Sequence, residues 1–265
     1  MFEAVELGSK VSKTEYQALV PQLRAELLKA QSQLRQARFS VVVLLSGVEG
    51  AGRGDLLNRL TQWIDMRDVE VHAFDRIFDE ELARPEYWRY WRTLPAHGRI
   101  GVYLNSWYTD PLLDRALDKK KRSVFERRLQ RIAQFERMLA DDGTLLLKFW
   151  LHLSEKEQGK RLKKLAEDER TRWRVTPERR RRHKAYADVV AAAETAIRLT
   201  DTGAAPWYLV EAGNARYRDV TVARMIADTL STRMPTDGAR TVTTAPTATD
   251  EPSARPPPRQ ASLQP

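Results

Sequence analysis

The sequence predicts an α/β protein built on a parallel five-stranded sheet. Two observations predict it: five short runs of β-branched and aliphatic residues, and longer stretches of helical character between them. Near-continuous apolar runs are typical of strands covered on both faces, and alternating strands and helices are typical of a parallel sheet. The predicted strands are 40–47, 69–74, 99–105, 143–153 and 206–212. The predicted helices lie around 54–66, 79–93, 110–141, 154–199 and 216–230.

The two ends of the chain differ from this alternating body. Leucines at helical spacing in residues 14–37 predict an amphipathic helix that starts or kinks near Pro21, so residues 1–37 are expected to form a helical extension. Residues 231–265 hold more than half of the 13 prolines and no aromatic residue. Such a segment buries too little surface to offset its chain entropy, which predicts a disordered tail. The central domain is therefore expected over 38–230.

Composition excludes several classes of protein. The chain has 265 residues, no Cys and four His, which excludes a disulfide scaffold and disfavours a zinc site. No apolar run approaches the roughly 20 residues needed to span a bilayer, and the N-terminus lacks the pattern of a secretory signal. We therefore expect a cytoplasmic protein without a membrane partner. The net charge of +9 indicates an anionic partner, and no helix-turn-helix or single-strand-binding signature points to a specific nucleic acid.

A glycine-rich loop follows the most hydrophobic strand and opens a helix. Residues 47–54 read GVEGAGRG, which keeps the G-x4-G spacing of a phosphate-binding loop. Glycines let backbone amides approach a phosphate, and a helix N-terminus adds free N–H groups. Arg53 stands where such loops carry Lys, and Gly54 replaces the hydroxyl residue that commonly holds Mg²⁺. A simple glycine turn between strand and helix is the alternative.

A strongly basic segment lies in the second half of the chain. Residues 160–184 read KRLKKLAEDERTRWRVTPERRRRHK, with a helix start at Thr176 and Pro177. Such a segment suits phosphate binding, although a solvated helix face is the usual role of charge runs. The basic residues 119–122 form a second candidate surface.

Other single residues also allow an interpretation. Asp75 ends the second strand, where it suits a cap of the next turn. The tryptophans and tyrosines of 87–91 suit base stacking or, at their helical spacing, the core. Lys148 is expected as an edge residue whose amine reaches solvent, and His152 as a core or edge residue. Glu136 is expected to be an exposed acid near a helix end.

Several segments in fixed order resemble the polyphosphate kinase 2 family. They are GVEGAGRGDLLNRL (47–60), ARPEYWRYWRTLPAHGRIGVYLNSWYTDPLLDR (83–115), FERMLADDGTLLLKFWLHLSEKEQGKRLKKL (135–165), RTRWRVTPE (170–178) and APWYLVEAGNARYRDV (205–220). The resemblance implies a P-loop kinase-like three-layer sandwich with a helical lid over about 154–199. It also implies Mg²⁺ (or Mn²⁺), inorganic polyphosphate, a nucleotide (AMP/ADP or GDP) and transfer of phosphoryl groups between them.

The resemblance also assigns roles to residues. Glu49 and Arg53 would be catalytic, with Glu49 as a weak metal ligand. The phosphate-binding loop would use Gly47, Gly50, Gly52, Arg53 and Gly54. The polyphosphate chain would meet Arg161, Lys164, Arg172, Arg174, Arg179, Arg180, Lys120 and Arg122. The nucleotide would meet Asp75, Arg76 and Arg216, and Lys148 would lie beside the site.

Four positions depart from the active pattern of the family, in which Glu49 is replaced by Asp and Arg53 by Lys. Leu104 and Asn105 follow the third strand where active members carry Asp and Arg. The chain is thus most similar to the N-terminal, degenerate half of two-domain polyphosphate:AMP phosphotransferases. A phosphotransferase of reduced activity is expected, and a non-catalytic polyphosphate-binding or scaffold module is the alternative. The family also implies a homo-oligomer or a partner to an active family domain.

Overall fold

Five parallel strands form one sheet, as predicted. A computed structural model describes residues 1–74, 81 and 83–234. The strands are β1 (Val41–Gly47), β2 (Val69–Ala73), β3 (Ile100–Leu104), β4 (Leu145–His152) and β5 (Trp207–Glu211). Their order is β2-β3-β1-β4-β5. Val41 of β1 lies opposite both Ile100 of β3 and Leu145 of β4, so the carboxyl ends of the three central strands meet at one edge.

Nine α-helices of the described residues surround the sheet. They are α1 (Lys13–Leu34), α2 (Arg53–Trp63), α3 (Trp88–Trp91), α4 (Thr109–Ala116), α5 (Arg122–Asp141), α6 (Glu155–Glu167), α7 (Pro177–Lys184), α8 (Tyr186–Thr200) and α9 (Ala215–Arg233). One group consists of α1, α2 and α9, and another of α4, α5 and α8, with β4 touching a member of each. The two groups and the sheet make the predicted three-layer α/β architecture. No helix in the described ranges is both long and apolar enough to cross a bilayer.

The predicted start of the first helix at Pro21 is wrong. Helix α1 begins at Lys13, and Pro21 lies inside it. Ser12 accepts a hydrogen bond from the Glu15 amide, while the Glu15 carboxylate accepts one from the Ser12 amide. This reciprocal cap satisfies the first amides of the helix, so the helix begins about two turns before the proline.

Two predicted helices are interrupted in the structure. The 110–141 prediction divides into α4 and α5, because Lys119 between them takes a left-handed φ of 53° that a right-handed helix excludes. The 154–199 prediction divides into α6, α7 and α8. Thr176 is extended, as the residue before a proline prefers, and its side chain caps α7 by accepting from the Arg179 amide. The predicted helix 79–93 contains α3, which makes up most of the helix that the structure describes in this range.

Glu136 is not exposed, and Lys148 does not reach solvent. Glu136 is 2% exposed and Lys148 is fully buried, with Lys148 Nζ donating to Glu136 Oε2 at 2.6 Å. Lys148 also donates to the Thr200 carbonyl and the Tyr108 hydroxyl, and Trp107 Nε1 donates to Glu136 Oε1. Helical periodicity missed this pair because each charge is hidden by a partner distant in sequence. The pair lies beneath the turn that follows β3. His152 is buried as expected, with Nε2 at 2.9 Å from a Glu6 carboxylate oxygen.

Candidate functional site

The glycine-rich loop connects the end of β1 to the first turn of α2. At Gly52 the backbone is left-handed (φ 84°), and a Cβ atom would lie 1.9 Å from Arg218 Nη1. At Gly47 a Cβ would lie 2.4 Å from the Leu151 carbonyl oxygen of β4. Glycine at these two positions is therefore required by close approach of neighbouring groups, as well as by backbone conformation.

Three side chains from outside the loop hold its carbonyl groups. Gln158 Nε2 donates to the Glu49 carbonyl at 2.8 Å, Arg161 Nη1 to Gly50 at 2.9 Å, and Arg218 Nη1 to Ala51 at 3.1 Å. The first N–H groups of α2 have no acceptor within their own helix. These loop carbonyls therefore accept hydrogen bonds from side chains outside the loop, while the N–H groups at the start of α2 can donate to an anion.

Glu49 lies at the centre of a cluster of arginines. Its carboxylate is 6% exposed, and it accepts from Arg179 Nε at 2.9 Å and from Arg182 Nη1 at 3.2 Å. Arg53 Nη1 donates to Asn105 Oδ1 at 3.2 Å. Burial lowers the pKa of Arg53; the Glu49 carboxylate opposes this shift, and the neighbouring cations of Arg182 and Arg179 add to it. Because guanidinium groups stay protonated in proteins, the cluster keeps an excess of positive charge that favours an anion.

One cavity of about 500 Å³ opens on this loop, and we call it the P-loop cavity. Its walls combine loop glycines with cations of α6, α7 and α9. The lining includes Glu49, Gly50, Gly52, Arg53, Gly54, Leu104, Asn105, Arg161, Lys164, Arg174, Arg179 and Arg218. Such a mixture of backbone N–H groups and cations suits a polyanion.

A second cavity of about 650 Å³ lies on the other side of Asn105, and we call it the α4 cavity. Aromatic rings, acids and arginines share its walls. The lining includes Phe74, Arg89, Tyr90, Asn105, Asp110, Asp114, Arg181 and Arg182. Burial raises the pKa of Asp110, which Arg128 opposes. Asn105 also donates from Nδ2 to the Phe74 carbonyl at 3.0 Å, so its side chain is held between the two cavities.

Many of the residues predicted for the site come together. Glu49, Arg53, Leu104 and Asn105 line the P-loop cavity with three of the loop glycines, and so do the four basic residues Arg161, Lys164, Arg174 and Arg179. Gly47 lines a small space of about 50 Å³ next to Glu49 and Arg182. Leu104 places an apolar side chain where a carboxylate was expected for an active member.

Other predicted residues lie elsewhere in the described part of the chain. The walls of the two cavities do not include Arg172, Arg180, Arg216, Lys120 or Arg122. Lys120 pairs with Asp114 at 3.6 Å, and Arg122 with Glu126 at 2.7 Å. Asp75 and Arg76 lie outside the described residues.

Sequence reasoning missed several residues around the site. Gln158, which contacts the loop, and Arg89 and Asp110, which line the α4 cavity, had no motif to mark them. Arg182 belongs to the basic segment that the sequence analysis singled out, and its i, i+3 spacing from Arg179 places both on one helix face. With Arg179 directed at the loop, Arg182 and His183 follow on the same face, whereas Arg180 does not.

The described residues do not form a metal site of their own. No group of three or more His, Asp or Glu side chains in the described ranges has the geometry to hold a metal ion. Both Glu49 oxygens already accept from arginines, and Gly54 offers no hydroxyl. The donor set therefore does not fit a divalent cation held by protein side chains alone.

Comparisons with known proteins agree with this fold. Residues 10–238 match the family model described as polyphosphate kinase 2. A polyphosphate:AMP phosphotransferase of Pseudomonas aeruginosa is 41% identical over 237 residues, covering 89% of this chain and 48% of the relative. A GDP-polyphosphate phosphotransferase of Mycobacterium tuberculosis is 31% identical over 84% of this chain and 75% of the relative. The crystal structure of polyphosphate kinase 2 from Arthrobacter aurescens superimposes with a TM-score of 0.80 at 27% identity, covering 88% of this chain and 85% of that one.

The fold and the loop define a P-loop kinase-like α/β protein. The chain belongs to the polyphosphate kinase 2 family. It spans about half the length of the two curated relatives to which it is 41% identical.

Proposed function

We propose that this protein transfers phosphoryl groups between inorganic polyphosphate and a nucleotide. The names of its relatives support both substrates, since they act on polyphosphate with AMP in one case and GDP in another. We also propose a cytoplasmic location and assembly with itself or with a second family domain, as family resemblance suggests. The comparisons give no support to the non-catalytic alternative.

One observation carries the proposal: Asn105 belongs to the walls of both cavities. We assign the polyphosphate chain to the P-loop cavity, because its lining is rich in cations and glycine backbone. We assign the nucleotide to the α4 cavity, because Phe74 and Tyr90 offer faces for a base. The terminal phosphates of the two ligands would then meet beside Asn105 and Arg53.

The transfer breaks one phosphoanhydride bond and forms another. A terminal phosphate oxygen of the nucleotide attacks the end phosphorus of the chain, and the shortened chain leaves with the electron pair of the broken bond. Arg53, Arg179 and Arg182 are placed to stabilise the charge on the transferred group and on the leaving oxygen. Such positioning and charge stabilisation supply most of the catalysis of phosphoryl transfer.

The altered residues predict slow chemistry. Removal of one preorganised electrostatic contact typically costs about 10²–10³ in rate. Leu104 offers no charge, and Asn105 donates and accepts only as a neutral amide. We therefore expect turnover well below that of a member with Asp and Arg at these positions.

We include Mg²⁺ or Mn²⁺ in the proposal as an ion that enters with the substrates. Mg²⁺ is commonly held by substrate phosphates, waters and only one or two carboxylates. The ion would then depend little on the protein side chains described above. We assign no catalytic step to it.

The test is a phosphotransfer assay on the purified chain. It combines AMP, ADP or GDP with polyphosphate and Mg²⁺ or Mn²⁺, and polyphosphate binding is measured by calorimetry in parallel. We expect turnover and binding. Binding without turnover would contradict the proposed activity, and absence of binding would contradict the assignment of the P-loop cavity.

A variant that carries residues of the active family pattern tests why turnover is expected to be slow. Combined Arg53→Lys, Leu104→Asp and Asn105→Arg substitutions reinstate the residues of the active family pattern. We expect a gain of at least about tenfold in turnover, because each reinstated contact is worth about 10²–10³ when fully preorganised. No gain with intact binding would show that the loss of these groups does not limit the rate.

A further inference from the structure

Helix α7 turns one face towards the glycine-rich loop, and its contacts converge on a single residue. Arg179 and Arg182 both donate to the Glu49 carboxylate. His183, on the same face, lies with Nδ1 at 2.5 Å from Gln158 Oε1, and Gln158 Nε2 donates to the Glu49 carbonyl. Glu49 is therefore bound by α7 through its side chain and, by way of Gln158, through its main chain.

The carboxylate of Glu49 lies among arginines whose guanidinium groups also suit a phosphate. Carboxylates and phosphates offer guanidinium groups the same kind of charged, two-oxygen acceptor. Three arginines surround one carboxylate, so the cluster remains cationic even with Glu49 in place. The Nε atom of Arg182 is buried and has no hydrogen-bond partner among the described residues, although its Nη1 binds Glu49. The cluster therefore retains capacity for a further acceptor.

The location of Glu49 separates it from an ordinary surface acid. It lines the P-loop cavity, where we assign the polyphosphate chain. A chain that reaches Arg179 and Arg182 must share them with Glu49 or displace it. Asp55, also on the wall of this cavity, lies 4.0 Å from Arg174 and is 63% exposed, so it does not compete for these two arginines.

We propose that Glu49 is an internal substitute for a substrate phosphate and thereby determines which phosphate ligands this site accepts. Without a ligand, Glu49 holds α7 against the glycine-rich loop. An anion with several adjacent phosphates carries enough charge to displace it, whereas inorganic phosphate does not. This inference rests on the proposed function, because it concerns the same site.

The experiment compares Glu49→Gln, Glu49→Asp and Asp141→Asn with the unmodified chain. Gln keeps the size of the side chain without its charge, and Asp keeps the charge but is shorter by one methylene group. The control Asp141→Asn removes one charge from an exposed residue outside the walls of both cavities. Binding of inorganic phosphate, pyrophosphate and polyphosphate is measured by calorimetry. Hydrogen exchange of the α7 amides is measured without ligand.

We expect Glu49→Gln to bind polyphosphate roughly tenfold more tightly, since loss of about 1.4 kcal/mol of competition changes affinity tenfold. Its affinity for inorganic phosphate should rise as well, so the difference in affinity between polyphosphate and inorganic phosphate becomes smaller. The α7 amides should exchange faster in both Glu49 variants, because a neutral Gln oxygen and a shorter Asp carboxylate both weaken the contacts of Arg179 and Arg182. Asp141→Asn should change binding by less than about threefold, because it alters only an exposed ion pair away from the cavities. If Glu49→Gln folds poorly alone, polyphosphate should restore its melting temperature more than it raises that of the unmodified chain.

Two results would overturn the inference while leaving the proposed function intact. One is polyphosphate binding by the unmodified chain with equal or weaker binding by Glu49→Gln. The other is unchanged exchange of the α7 amides in both Glu49 variants. Absence of polyphosphate binding by the unmodified chain would instead overturn the proposed function, and the inference with it.

Discussion

Two buried glutamates of this protein are paired with cations, yet their surroundings differ. Glu136 faces one lysine, and the pair is closed by Trp107, Tyr108 and the Thr200 carbonyl. Glu49 faces two arginines with a third nearby, and it opens on a cavity. Burial raises the pKa of Glu136 and lowers that of Lys148, and their mutual attraction opposes both shifts.

The difference separates a structural ion pair from one prepared for a ligand. The Glu136–Lys148 pair is neutral overall and its main donors and acceptors are used, so nothing further is needed there. The Glu49 cluster has more positive than negative charge and opens on a cavity, so a bound phosphate would bring its charge closer to balance. Burial of a carboxylate alone therefore does not mark a site; the local charge balance and access to a cavity do.

Breaking the structural pair should have the largest effect on stability. Lys148→Met leaves Glu136 buried without its cation, and removal of one partner of a buried pair typically costs about 3–5 kcal/mol. The double variant Lys148→Met with Glu136→Gln should recover part of this loss, because no charge is then left uncompensated. Urea unfolding of the three proteins measures the free energies. A cost below about 1 kcal/mol for Lys148→Met would contradict the structural role.

The same variant should respond to pH in a definite direction. Without Lys148, the folded-state pKa of Glu136 lies above its unfolded value, because burial already raises it. The folded state then binds more protons than the unfolded state, so stability falls as pH rises through the folded pKa. Lys148→Met should accordingly lose less stability relative to the parent chain in acid than at neutral pH. An equal loss at both pH values would contradict this account.

Weakening the arginine cluster around Glu49 should affect polyphosphate binding more than folding. Arg182→Ala removes a contact to Glu49 and a cation from the cluster, and hydrogen bonds to charged groups are worth about 1.5–3 kcal/mol. We expect polyphosphate affinity to fall by roughly tenfold to a hundredfold. Arg180→Ala is the matched control, since Arg180 is exposed and absent from the walls of both cavities. Equal losses from both substitutions would mean that overall charge, and not the cluster, governs binding.

The smallest expected effect concerns Gly52 and Gly54 of the glycine-rich loop, which also contains Glu49. Gly52→Ala combines a left-handed φ with a clash against Arg218, and strain of this kind costs on the order of 1–3 kcal/mol. Gly54→Ala meets no neighbouring atom within 4 Å and lies inside α2, so it should stabilise the fold by up to about 1 kcal/mol. Thermal melting of both variants checks the signs. Stabilisation by Gly52→Ala would show that the close approach of Arg218 is not required.

The elements of the fold were predictable where local pattern and burial agree. The apolar run predicted as strand 40–47 is β1, Val41–Gly47, because a central parallel strand is covered on both faces and needs no polar alternation. The break at Lys119 was not predictable, since a left-handed lysine has no compositional signal. The same holds for the interior position of Pro21, where the capping box of Ser12 and Glu15 determines where the helix begins.

The sequence alone determined the glycine-rich loop, the supply of basic residues and the order of strands and helices, because spacing and composition are local properties. Only the tertiary structure decided which charges act together. Glu49 and Arg182 are 133 residues apart and meet at 3.2 Å, and Glu136 is buried by a lysine on a neighbouring strand. Among the arginines of α7, the approach of one helix face to the loop decides that Arg179 and Arg182 contact Glu49. The physical reason is that electrostatic pairing depends on distance in space, which folding brings about between residues that are far apart along the chain.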